Sequence, residues 1–148
     1  MAEPGGHRAV VRRAVVGTEP LDVTEHATLV DDPAAGAVVT FAGVVRDHDG
    51  GRSVCGLEYS AHPSAGAVVA RVAEDIAARA PGGRARAGSH RIGALAVGEI
   101  ALACAVAADH RKAAFATCAE LVDEIKRQLP VWKHQVFADG TDEWINSA

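Results

Sequence analysis

Between Asp109 and Pro130 the apolar residues Phe115, Cys118, Val122, Ile125 and Leu129 recur at the spacing of one helical face. This predicts a long amphipathic helix starting at His110, with Asp109 as its N-cap and Pro130 as its stop. The chain then runs on as an extended segment over 131–137. A helix with one apolar face must cover a sheet or another helix. The β-branched run over 37–45, Ala-Val-Val-Thr-Phe-Ala-Gly-Val-Val, is the clearest strand available to it, and its near-continuous apolar character predicts cover on both faces.

The remaining elements fall around these two. Residues 1–8 read as frayed, 9–16 as a short edge strand, and 21–30 as a helix closed by Asp31-Asp32-Pro33. Asp47-His48-Asp49-Gly50-Gly51 is a turn cluster, so 37–45 and a second strand over 53–59 are expected to form a hairpin. Pro63-Ser64 opens a helix whose stripe is Val69, Val72, Ala73, Ile76, Ala77 and Ala80, closed by Pro81-Gly82-Gly83. Strands follow over 84–91 and 100–107, with Gly93 and Gly98 punctuating the link between them. After the long helix and the 131–137 strand, Asp139-Gly140 turns the chain and Trp144-Ile145 lies back on the sheet. The order predicts an α+β fold, one domain over 1–148, with helices on a mixed or antiparallel sheet.

A net charge of −4 argues against non-specific nucleic-acid binding, which needs a basic face. No apolar run approaches the roughly 20 residues that span a bilayer, and the N-terminus lacks a signal-peptide core, so a cytoplasmic protein away from membranes is expected. Cys55, Cys104 and Cys118 have no metal or redox spacing and read as buried small hydrophobes. No histidine pair sits at i, i+4, and neither a metal site nor a cofactor is expected.

Against that acidic background the basic residues near the C-terminus are a local feature. Arg46 leaves an apolar strand beside Asp47 and Asp49, either as a solvated strand end or as an anion ligand on a rigid element. His110 and Arg111 fall in a helical first turn, where a cation is unfavourable by a few tenths to about 1 kcal/mol. An anion between them and the free N–H groups explains their presence; a surface charge paired with Asp109 is the other reading. Lys126 lies at the edge of the apolar stripe, either snorkelling or partly desolvated. Lys133 follows Trp132, either facing solvent or held where bulk lowers its pKa toward acid–base work.

From Arg111 to Lys126 is 15 residues, about 22 Å along a straight helix. If all these residues serve one small phosphorylated substrate, His110 and Arg111 must come from a second subunit. The expectation is a homodimer with its active site at the interface.

Taken together, these stretches resemble the MoaE family, the large, catalytic subunit of molybdopterin synthase. The likeness rests on the 36–48 run ending in Arg46-Asp47-His48, on Leu57-Glu58-Tyr59, and on His90-Arg91-Ile92-Gly93 with Val97-Gly98-Glu99. It continues through Asp109-His110-Arg111 with Ala114-Phe115, Ile125-Lys126, Pro130-Val131-Trp132-Lys133, Asp139-Gly140 and Trp144. The resemblance implies an α/β-hammerhead-like domain that dimerises and binds a small β-grasp sulfur-carrier subunit. The carrier's C-terminal Gly-Gly thiocarboxylate would enter the site, and two sulfurs would pass to cyclic pyranopterin monophosphate, giving molybdopterin. It further implies Lys126 and Lys133 as the catalytic pair. Substrate would be held by Arg46, the backbone of Val44 and Val45, His110, Arg111, Lys126 and the Lys133-His134-Gln135 segment, with Phe41 walling the pocket. The 60–65 stretch, Ser-Ala-His-Pro-Ser-Ala, departs from the family pattern. It motivates a second reading, a carrier-binding homologue of the same fold without turnover. A phosphate-ester hydrolase would want a metal cluster or a nucleophile with its base, and neither is found.

Overall fold

The computed structural model describes residues 9–148; the predicted fraying of 1–8 lies outside the described residues. The apolar segments assemble into two sheets. The first has the order β1-β5-β7-β2. It is built from β1 (Val10–Gly17), β5 (Gly83–Arg91), β7 (Ile100–Ala108) and β2 (Ala37–Val44). β1 and β5 run parallel, and the other pairs are antiparallel. The second has β3 (His48–Asp49), β4 (Arg52–Ala61), β8 (Val131–Phe137) and β9 (Asp142–Ile145) in that order, with β6 (Gly93–Ala96) also on β4.

β7 carries the core because its small residues serve two faces. Leu102, Cys104 and Val106 join Val69, Val72 and Ile76 of α2 (Ala65–Arg79) and Cys118, Leu121 and Ile125 of α3 (Arg111–Gln128). Ala105 and Ala107 join Ala85, Ala87 and Val30, at the end of α1 (Val23–Leu29). Gly88 lets α3 approach β5: a Cβ there would press on the Ile125 side chain at 3.2 Å. That contact seats the last turn of α3, and hence Lys126, over the sheet.

Three expectations change. β2 is an edge strand with alternating exposure, and Val38 and Val44 remain half-exposed, so only one of its faces is covered. β2 and β4 do not pair. The chain leaves the first sheet after Val44, and only the two-residue ladder of β3 with β4 forms a hairpin, around Gly50 and Gly51. Both glycines have positive φ, 57° and 78°, as a tight hairpin turn with right-handed strand twist requires. The link between β5 and β7, expected as punctuation alone, contains β6, paired to β4 through Tyr59↔Gly93 to Gly56↔Ala96.

Two side chains expected inside are outside. Phe115 is 64% exposed, because the buried face of early α3 centres on Ala114, Thr117, Cys118 and Leu121. Cys55 is exposed on β4, whereas Cys104 and Cys118 are buried as expected. Burial raises the Cys104 thiol pKa and pushes that of Cys118 up to about 11. Among the described residues, no helix is long and apolar enough to cross a membrane. No group of three or more His, Cys, Asp or Glu there could hold a metal ion.

Candidate active site

Where β2 ends, the chain is clamped between the two sheets. The Val45 N–H donates to the Glu99 carbonyl at 2.9 Å, and the Gly98 N–H donates to the Val45 carbonyl at 2.8 Å. Glu99 is itself held by the Arg91 guanidinium at 2.6 Å and by the Ala96 N–H at 2.8 Å. The Ala96 and Arg91 bonds keep the Glu99 carboxyl below its usual range. This clamp presents Val44, Val45 and Arg46 along one side of a cavity of about 210 Å³.

β8 supplies a second side. Lys133 and Gln135 are two residues apart, so they face the same way, and both line the cavity. They stand opposite Tyr59 and Leu57 of β4, which also line it. Gln135 is buried and donates to the Asp49 carboxylate at 2.7 Å. That bond first, then the charges of Lys133, Arg46 and Arg52, holds the Asp49 carboxyl below the ordinary value. Arg46 remains 66% exposed, with its guanidinium 3.7 Å from Asp49. It is therefore available to an anion at the cavity mouth.

Lys126, from the last turn of α3, closes the third side. Its amine donates to the main-chain oxygen of Ala148 at 2.9 Å. Burial and then the nearby charge of Lys133 lower its pKa from the ordinary 10.5. A lysine lowered in this way gives up its proton more readily than a free one and can still stabilise a developing anion when charged.

The other expected site residues lie elsewhere in this chain. His134 alternates away from Lys133 and Gln135; its Nε2 is 2.7 Å from Asp142 and its ring stacks on Trp144 at 4.3 Å. Phe41 packs against the core beside Gly43 and does not line the cavity. His110 and Arg111 stand at the far end of α3, around an open depression of about 700 Å³ with Lys112, Phe115 and Ala116. The predicted cap is also different. His110 holds the N-cap position in extended conformation without a side-chain cap bond, while the Asp109 carboxylate is taken by Arg84. Competition from a full guanidinium explains why Asp109 does not turn to the helix.

Among the cavity residues that sequence reasoning missed are His48, Tyr59, His90 and Ala148. The signal for His48, Tyr59 and His90 was their place in the segments that carry the family resemblance, Arg46-Asp47-His48, Leu57-Glu58-Tyr59 and His90-Arg91-Ile92-Gly93.

The family to which the chain belongs follows from its similarity to known proteins. The family model described as MoaE protein matches residues 16–128, which include Arg46, His110, Arg111 and Lys126 and stop short of Lys133. The molybdopterin synthase catalytic subunit of a Nostoc species is 39% identical over 128 residues, spanning 86% of this chain and 78% of that one. The corresponding subunit of Bacillus subtilis is 35% identical over 136 residues, spanning 91% and 85%. An X-ray structure of molybdopterin synthase from Staphylococcus aureus matches with a TM-score of 0.82 at 31% identity, over 89% of this chain and 96% of that one. The chain belongs to the MoaE family, that of the molybdopterin synthase catalytic subunits, and is an enzyme of molybdenum cofactor biosynthesis.

Proposed function

We propose that this chain, acting as one domain in the cytoplasm, moves two sulfurs from a thiocarboxylated carrier to cyclic pyranopterin monophosphate. The observation that carries the reading is the convergence of Lys126, Lys133, Arg46 and the Val44–Val45 backbone on one cavity, with the Lys126 amine depressed. The substrate is anionic, and every charged side chain reaching the cavity wall from α3, β8 and the end of β2 is cationic. Arg46 offsets the phosphate, while Lys126 and Lys133 transfer protons and stabilise the anion that develops as sulfur attacks carbon.

The carrier is a small β-grasp subunit whose Gly-Gly tail enters the cavity as extended backbone. Glycines suit a narrow passage because no side chain has to pass. Two copies of this chain form a homodimer, and with two carriers a heterotetramer. His110 and Arg111 of one copy complete the phosphate site of the other. The support is the length of α3, an 18-residue helix with Arg111 in its first turn and Lys126 in its last, further apart than two long side chains can span. In the same way His134 and Gln135 serve as supports, His134 through Trp144 and Gln135 through Asp49, and Phe41 shapes the strand behind Gly43.

Incubation with thiocarboxylated carrier and the cyclic pterin, followed by detection of the dithiolene product, tests the reading. Product is expected from the unaltered chain and is expected to fall by about two to four orders of magnitude for Lys126→Ala. Absence of product from a folded, carrier-bound unaltered chain would refute it.

A further inference from the structure

His90 sits in β5 and is fully buried, at 0% exposure, yet its ring lines the cavity that holds Lys126 and Lys133. Neither ring nitrogen has a protein partner in hydrogen-bonding geometry. A backbone hydrogen-bonding contact with Arg91 raises the ring's pKa, although its geometry falls short of a full bond. The Tyr59 ring meets it edge to face at 4.8 Å, fixing its plane. Buried polar groups without partners are rare, because each costs the hydration it has lost. A ring kept for packing alone would serve better as an apolar side chain of similar size.

We propose that His90 is a substrate-contacting residue, a neutral imidazole on the cavity floor that hydrogen-bonds the bound pterin. This rests on the functional reading above and names a group that it did not contain. Of the polar side chains at the wall, Arg46, Lys126 and Lys133 only donate when charged, while Gln135 is bonded to Asp49 and His48 to Asp47. A neutral imidazole adds an acceptor lone pair beside its N–H, which matches the mixed donor and acceptor edge of a reduced pterin. It stays neutral there because burial, aided by the adjacent Lys126 charge, pushes its pKa down to about 4. The same ring backs a second cavity of about 480 Å³ under α1. On that side the one arginine, Arg13, is paired with Glu25 at 2.6 Å, whereas the Lys126 side gathers three cationic side chains, Arg46, Lys126 and Lys133, that suit a phosphorylated ligand.

The test compares unaltered protein, His90→Phe and His90→Gln in the complete assay with carrier and cyclic pterin, alongside thermal unfolding. His90→Phe is expected to raise Tm by about 3 °C, since an unsatisfied buried group is removed. It is expected to lower kcat/KM for the pterin at least about tenfold, chiefly through KM. His90→Gln, which can still hydrogen-bond, is expected to recover part of that loss. A folded His90→Phe protein with kcat/KM within about twofold of the unaltered protein would overturn the proposal. Ring-nitrogen NMR of the unaltered protein covers the case in which a variant does not fold. Added cyclic pterin is expected to shift the His90 nitrogens, and no shift at saturation would overturn the proposal. A lack of turnover by unaltered protein together with a pterin-dependent His90 shift would sink the sulfur-transfer reading and support this contact.

Discussion

The Lys126 amine donates a 2.9 Å hydrogen bond to the main-chain oxygen of Ala148, and that residue is itself 5% exposed against the cavity wall. A main-chain acceptor thus orients this amine within the cavity.

The depressed pKa of Lys126 has a measurable sign. Burial is the larger cause and the Lys133 charge the second, so the amine loses its proton at lower pH than a free lysine. In pH-dependent acylation read by mass spectrometry, Lys126 is expected to show a midpoint below 10.5. Lys133→Met is expected to move that midpoint up, because it removes a like charge. A midpoint at or above the free-lysine value in the unaltered protein would contradict the account.

Sharing of the site between two copies is open to a complementation test. Arg111→Ala is expected to weaken substrate binding and Lys126→Ala to abolish turnover. Mixed dimers of the two variants contain one site with both residues intact, so they are expected to regain up to about half of the activity per site. Mixed dimers as inactive as either parent would place both residues in the same copy's chemistry and end the shared-site model.

Acid stability reports on His90. Above pH 6.5 the ring is neutral in folded and unfolded chains alike and has no effect on stability. Between 6.5 and about 4 the unfolded chain binds a proton that the folded chain refuses, so stability is lost as pH falls through that window. The gap from 6.5 to about 4 corresponds to on the order of 3 kcal/mol. Denaturant unfolding at pH 7 and pH 4.5 is expected to show a smaller acid loss for His90→Phe than for unaltered protein. Equal losses would mean that the ring is protonated without penalty.

Two glycines give opposite expectations for the same change. Gly36 donates its N–H to Ala108 at 3.0 Å, and a Cβ there would collide with the main-chain oxygen of Asp109. Gly36→Ala is expected to cost about 1–3 kcal/mol and to disturb the junction that carries His110 and Arg111. Gly66, exposed on α2 with nothing within 4 Å of the added atom, is expected to gain about 0.5 kcal/mol as alanine. Thermal unfolding of both variants checks the pair, and equal shifts would show that the Asp109 approach is not limiting.

Much of the local structure was legible because period and punctuation are local properties. The stripe over Cys118, Val122, Ile125 and Leu129 with Pro130 behind it named α3, and Val69 to Ala77 named α2. Arg46, Lys126 and Lys133, singled out from the sequence, line one cavity. Pairing was not legible in the same way. A turn cluster between two strand-like runs looks like a hairpin, yet Val45 finds Glu99 and the chain crosses to another sheet. Phe115 matched the stripe, but which arc of a helix is buried depends on what lies beneath it.

The amino-acid sequence by itself determined the helices, most strands and the basic residues able to handle an anion, because each follows from spacing, side-chain charge and backbone preference within a few neighbours. Only the tertiary structure decided that Lys126 is partly dehydrated beside Lys133, that Asp109 goes to Arg84, and that His90 faces the same cavity with no protein partner. Desolvation and hydrogen-bond competition are set by groups distant in the chain, and folding alone brings them within reach.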